Sequence, residues 1–171
     1  EGLDDRITLR LEDYRDVEGQ FDRIVSVEMI EAVGQEYWPH YFQSLNRLLK
    51  PEGSAVIQAI TILEDRFSRY AQKADFIQRY IFPGGMLPTI SAIERQAGQA
   101  GLTLDHQEQF GLSYAQTLRE WRHRFELAWP DIAKLGFDEQ FRRCWLYYLT
   151  YCEAGFRDGV IDVGLYRLSK I

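Results

Sequence analysis

FDRIVSVEMIEAVG, residues 21–34, contains at Arg23 to Val27 (RIVSV) a nearly continuous apolar run, which suits a strand covered on both faces. In an open α/β sheet the ligand site lies outside the carboxyl ends of the strands, so the next residues, Glu28, Met29, Glu31 and Gly34, take most weight. Two carboxylates placed three residues apart suit two situations. One is a helix N-terminus, which favours negative charge. The other is a dry pocket in which a carboxylate accepts a hydrogen bond or a proton, since an unpaired buried charge is expensive.

Working outward, ITLRL at 7–11 alternates apolar and polar residues and predicts a half-buried strand nearer the sheet edge. Tyr37 to Leu49 predicts a helix with Tyr41, Leu45, Leu48 and Leu49 on one face, stopped by PEG at 51–53. A third strand, SAVIQAITI, follows, and its end presents Gln58, Ala59, Ile60 and Thr61. Pro88 and Thr89 open a helix that Gly101 closes as a left-handed cap, and LTLDHQEQF is again strand-like. Two long amphipathic helices come next. The first runs from Ser113 as N-cap to Trp129, with Leu118, Trp121, Phe125 and Ala128 on a shared face. The second runs from Asp138 to about Phe156, with Phe141, Trp145, Tyr148 and Cys152 aligned. The tail VIDVGLYRLSK alternates and suits an antiparallel partner of LTLDHQEQF. This βαβα order predicts a mainly parallel sheet covered on both faces.

At 171 residues and 46% hydrophobic content the chain is sized for one core. A net charge of -6 without any Lys/Arg block argues against a nucleic-acid partner, whose phosphates would need clustered cations. Cys144 and Cys152 would lie about 12 Å apart along a helix, too far for a disulfide, and fit a reducing compartment. No apolar run approaches about 18 residues, and the acidic start EGLDD is unlike a signal peptide, so the expectation is a cytoplasmic chain. Cysteines and histidines form no ligand pattern; His40, His106 and His123 read as surface or helix residues, and no metal site is expected. Aromatic residues crowd the second half, suiting either a core or a lipid-shaped cavity.

Several segments in a fixed order carry a resemblance: LEDYRD at 11–16, VEMIEAVG at 27–34, LKPEG at 49–53, YIFPGGMLP at 80–88 and FGLSYAQTLREWRHRFELAWP at 110–130. The chain resembles the cyclopropane fatty acid synthases and the related mycolic acid methyltransferases, which use S-adenosylmethionine (SAM). The resemblance implies an α/β fold, the C-terminal part of a Rossmann-like class I methyltransferase sheet. That sheet is mostly parallel with its last strand antiparallel, and helical insertions cover the active site. It further implies that Asp13 and Tyr14 contact the SAM adenine, with Glu28 and Met29 beside its adenosine and methionine portions. Glu31 and Tyr114 match active-site positions that hold a bicarbonate ion, while Tyr80, Phe82, Pro83 and Gly84 match the lining of an acyl-chain site. From the residues alone, Asp13 also suits a plain turn and each of these aromatics also suits a core.

The implied reaction is SAM-dependent methyl transfer to the double bond of an unsaturated fatty acyl phospholipid at the membrane surface, with closure of a cyclopropane ring. Methyl transfer to a small amine is the alternative within the class, and a non-catalytic assembly module is the alternative outside it. Two departures stand out. Gln58 occupies a position where many relatives carry a histidine, and an amide cannot shuttle a proton at neutral pH. No Gly-rich strand-to-helix loop is present, although the methionine end of SAM needs close backbone approach. Residues 1–171 therefore read as a partial methyltransferase domain lacking the first two strands, with the family's active-site cysteine upstream. Such a sheet leaves a flank open and favours self-association.

Overall fold

The computed structural model describes residues 2–170. Strand β1 (Phe21–Val27) leads through the short helix α1 (Ile30–Val33) into α2 (Trp38–Leu48) and then β2 (Leu49–Ile62). Helices α3 (Glu64–Gln72), α4 (Phe76–Tyr80) and α5 (Ile90–Gln99) precede β3 (Leu102–Gln109). The long helices α6 (Gly111–Lys134) and α7 (Glu139–Asp158) then return the chain to β4 (Ile161–Lys170).

The sheet order is β1-β2-β4-β3. β1 pairs in parallel with β2, and β4 pairs antiparallel with both β2 and β3. Three strands therefore run one way and the last runs against them, as expected. β4 does more than partner β3, however, because it is inserted between β2 and β3. Two cores result from the alternation of side chains across β2 and β4. On one face Ala55, Ile57, Ala59, Tyr166 and Leu168 meet Trp38, Tyr41, Phe42 and Leu45 of α2 and Ile93 and Ala97 of α5. On the other, Val163 meets Ala115 and Leu118 of α6 and Leu149 and Phe156 of α7. Thr89 caps α5 by accepting from the Ala92 amide, and Gly101 takes the left-handed conformation just beyond it.

Four sequence expectations need correction. The segment 7–11 is not a strand: Leu9 and Leu11 are fully exposed, and no neighbouring strand supplies the ladder partners that a strand requires. β1 is consequently the edge of the described sheet. Ile24 and Ser26 face α2, but Val25 is 72% exposed on its uncovered face. The PEG segment lies inside β2 as an irregular excursion: Phe21 pairs with Leu49 and Arg23 with Ser54, so four residues bulge opposite Asp22. Helix α6 starts at Gly111, ahead of the expected Ser113 cap, and its first amide is served by the Asp162 carboxylate of β4 at 2.8 Å. Its buried face follows Ala115, Leu118 and Trp129, while Trp121 and Ala128 turn outward. The α7 face matches expectation, with Asp138 as N-cap and Trp145, Tyr148, Cys152 and Phe156 against the core.

Candidate active site

The site forms where β1 ends before β2 does. The Glu28 amide donates to the Gln58 carbonyl at 2.9 Å, completing the ladder, and Glu28 then turns the chain away with φ at +50°. A non-glycine residue rarely adopts that conformation, so this turn stores strain at the strand end. In a parallel pair the next β2 amide on the same side is that of Ile60, which β1 no longer reaches. Glu31, projecting from α1, fills the gap: its Oε1 accepts from Ile60 N at 2.6 Å. Its other oxygen, Oε2, is buried and has no hydrogen-bond partner among the described residues. Burial raises the Glu31 pKa, a shift that the Ile60 amide opposes and the nearby Glu28 charge reinforces.

Gln58 and Tyr114 stand beside it. One amide nitrogen of Gln58 donates both to Glu28 Oε1 at 2.8 Å and to the Tyr114 hydroxyl at 2.7 Å, and the Tyr114 hydroxyl donates to Glu28 Oε1. These three side chains close a triangle. Burial, followed by the Glu28 carboxylate, raises the Tyr114 pKa and keeps its hydroxyl a donor. Tyr114 is held against Phe110 and Phe156, with ring centroids at 5.8 and 5.4 Å. Tyr114 thus bonds directly to Glu28 and Gln58, while Glu31 bonds to the Ile60 amide.

The segment expected to line an acyl-chain site lies next to this group. The Met86 amide donates to the Glu31 carbonyl at 2.8 Å, and Gly85 N to the Phe82 carbonyl at 2.9 Å, tying residues 82–86 to α1. Phe82 meets Tyr148 of α7 edge-on at 6.2 Å, and Phe76 meets Tyr80 at 5.4 Å and Tyr147 at 4.5 Å. Tyr80, Phe82, Pro83 and Gly84 are exposed, so this segment forms a rim instead of a closed core. Asp75, which caps α4, also accepts from the Tyr151 hydroxyl at 3.0 Å and so fastens the rim to α7. Asp75 carries no signal in the sequence, whereas Tyr147 and Tyr151 belong to the aromatic crowd of the second half that suits a core or a lipid-shaped cavity.

Of the cofactor-side candidates, Glu28 and Met29 directly follow β1, whereas Arg15 and Val17, just beyond Asp13 and Tyr14, are tied through their carbonyls to Arg47 in the last turn of α2. Tyr41 donates to Ser26 Oγ at 2.8 Å, and Tyr14 packs edge-on against the Tyr41 ring at 5.9 Å. Met29 packs partly buried against the same core. Asp13 forms a turn in which Arg15 donates its amide and Nε to Oδ1 and its Nη2 to Oδ2. Those bonds hold the Asp13 pKa down at about 2. A carboxylate has about four acceptor positions, so Asp13 retains one for an exocyclic amine. The turn after β1 contains no glycine to cradle the methionine end of SAM. Bicarbonate fits poorly: both hydrogens of the Gln58 amide and the Tyr114 proton are already donated within the triangle. Among the described residues no group of three or more His, Cys, Asp or Glu could hold a metal ion.

Comparisons with known proteins agree with this architecture. A family model described as mycolic acid cyclopropane synthetase matches residues 1–165. Tuberculostearic acid methyltransferase UfaA1 of Mycobacterium tuberculosis is 49% identical over 170 residues, covering 99% of this chain and 40% of that protein. Cyclopropane-fatty-acyl-phospholipid synthase of Escherichia coli is 40% identical over 162 residues, covering 92% of this chain and 39% of that protein. The solved cyclopropane synthase MmaA2 from Mycobacterium tuberculosis matches with a TM-score of 0.84 at 27% identity, covering 97% of this chain and 63% of that one. Mycolic acid cyclopropane synthase CmaA1, solved with SAH and CTAB, matches with a TM-score of 0.84 at 29% identity, covering 94% of this chain and 59% of that one. The chain spans about two fifths of the length of the two sequence relatives.

Proposed function

We propose, because the chain belongs to the mycolic acid cyclopropane synthetase family, that the protein carrying it transfers the methyl group of SAM to the double bond of an unsaturated fatty acyl phospholipid. The observation that carries this reading is the site at the ends of β1 and β2. There Glu28, Glu31, Gln58 and Tyr114 converge beside an aromatic rim. In this reading Asp13, Tyr14, Glu28 and Met29 bind the cofactor. Tyr80, Phe82, Pro83 and Gly84 guide the acyl chain, and Glu31, Gln58 and Tyr114 form the wall at which the chemistry occurs.

SAM, when bound, supplies an electrophilic methyl carbon. The alkene electron pair forms a bond to that carbon as the carbon–sulfur bond breaks, leaving a thioether and a carbocation. Loss of a proton from the new methyl group closes the ring. Phe82, Tyr148 and their neighbours would exclude water that could quench the cation and would present ring faces to it. The bicarbonate expected from the resemblance would serve as a base here, and would have to displace the bonds within the triangle to do so.

The exposed aromatic rim, with Tyr80, Phe82, Tyr147 and Tyr151, supports contact with a lipid surface, since such side chains suit an apolar–aqueous boundary. No helix among the described residues is long and apolar enough to cross a membrane. The open edge of β1 supports pairing with a further strand, from elsewhere in the same protein or from a second copy. The full-length protein incubated with SAM and unsaturated phospholipid should yield a lipid heavier by one CH2. Methylation of amines from a panel, with lipid left unchanged, would refute the substrate assignment.

A further inference from the structure

Helix α4 and the turn after it are held in place with little help from a core. No residue of α4 is buried, and Tyr80 and Phe82 stand 68% and 57% exposed. Phe76 and Phe82 meet aromatic rings of α7, but apolar contact alone is non-directional. Direction comes from a chain of hydrogen bonds. The Tyr151 hydroxyl of α7 donates to Asp75 Oδ2 at 3.0 Å, and Asp75 Oδ1 accepts from Gln78 N at 2.9 Å. Gln78 in turn accepts from Asp75 N through Oε1 at 3.0 Å and donates through Nε2 to the Gly85 carbonyl at 2.8 Å. Met86, next in sequence, donates to the Glu31 carbonyl at 2.8 Å. The chain therefore starts on the helix that backs the aromatic rim and ends on the helix that carries Glu31. Asp75, Gln78 and Gly85 are all half-buried, where such bonds are stronger than in open water.

We infer that Tyr151, Asp75 and Gln78 are positioning residues that set how far a bound acyl chain advances, and thereby which double-bond position meets the methyl donor. The inference rests on the proposed lipid methyl transfer and deepens it by naming what selects the reacting carbons. A hydrocarbon chain offers no hydrogen-bonding group along its length, so the surface it lies against must fix its register. Tyr80 and Phe82 belong to that surface in the proposed reading, and the Tyr151–Asp75–Gln78–Gly85 chain fixes their segment relative to α1. None of the three positioning residues needs to touch the reacting atoms. A rim displaced by about 1 Å would present the wrong part of the chain to the methyl group, and a misplacement of that size can cost about 100-fold in rate.

The test uses the full-length protein with SAM and phosphatidylglycerol vesicles whose monounsaturated chains carry a cis double bond at the seventh, ninth or eleventh carbon. The wild type should favour one of the three isomers by about 10-fold or more in kcat. Tyr151→Phe removes the first bond of the chain, whereas Gln78→Glu removes the donor to Gly85 and keeps an oxygen for Asp75 N. Each should lower kcat on the favoured isomer by about 10-fold and flatten the preference to within about threefold, with KM for lipid and affinity for SAM changed less than about twofold. The double variant should do no more than either single one, since both cut the same chain. A purely structural role would instead lower the thermal midpoint and slow all three isomers alike. That outcome, an unchanged preference in either variant, effects that add in the double variant, or a wild type without preference would overturn the inference while leaving lipid methylation standing. Absence of methylated lipid with the wild type would remove lipid methylation itself, and this inference with it.

Discussion

Glu31 faces opposite demands from stability and chemistry. Burial raises its pKa, so the protonated form suits the fold and the ionised form does not. Its stabilising contribution is fully present below the unfolded glutamate value of about 4.3 and is lost as pH rises through the raised folded value. Glu31→Gln should therefore raise the thermal midpoint of the chain at pH 7 to 8, an advantage that disappears near pH 4; calorimetry at the two pH values checks this. Tyr114→Phe removes one hydroxyl that both donates to Glu28 and accepts from Gln58. It should cost about 1 kcal/mol of stability and lower methyl transfer by the intact protein roughly 10-fold or more, read from urea unfolding and product yield. Glu31, Gln58 and Tyr114 could all be named from sequence, but their partnerships could not. Tyr114 lies 86 residues from Glu28, and its pairing depends on where α6 begins. The role of Ile60 was equally hidden, because it belongs to a backbone amide and not to a side chain.

The start of α6 shows how one element positions another. Its first amide is capped by Asp162, and a side chain on Gly111 would collide with that same carboxylate. Gly111→Ala should destabilise by about 1–3 kcal/mol and displace Tyr114, seen as a lower thermal midpoint and altered tyrosine fluorescence. Local capping chemistry in the sequence points to Ser113, while the cap that serves the first amide is contributed from β4. The α6–α7 pair carries a second tie: buried Glu153 bridges Arg122 at 3.3 Å and Arg157 at 3.0 Å. Glu153→Ala should cost about 1–3 kcal/mol, with both guanidiniums partly relieved by solvent. At the opposite flank, Val25→Lys on the exposed face of β1 should reduce self-association of the isolated chain in sedimentation experiments without lowering its thermal midpoint.

Across the whole molecule, the α/β class and the direction of the last strand were legible, because hydrophobic period and turn residues report local structure. The insertion of β4 was not: nothing in VIDVGLYRLSK distinguishes an edge partner of β3 from a strand buried between β3 and β2. Nor could β1 be identified as an edge from RIVSV, whose apolar residues face α2 on one side and, at Val25, a face that no described element packs against. The same incompleteness bears on binding: the isolated 171-residue chain should show no calorimetric affinity for SAM at micromolar concentrations, whereas the full-length protein should bind one equivalent.

The central place of β4 also sets a timetable. β2 and β4 are neighbours in space, yet about 100 residues separate Ile62 from Ile161 along the chain. At a synthesis rate of about 5–20 residues per second, β2 waits roughly 5–20 seconds on the ribosome for its second partner, and β3 meanwhile has no strand beside it. During that interval the apolar faces of both strands are open to any chain nearby. Newly made protein is therefore most exposed to mispairing before Ile161–Lys170 emerges, and slowing translation across α6 and α7 should lengthen its dependence on chaperones.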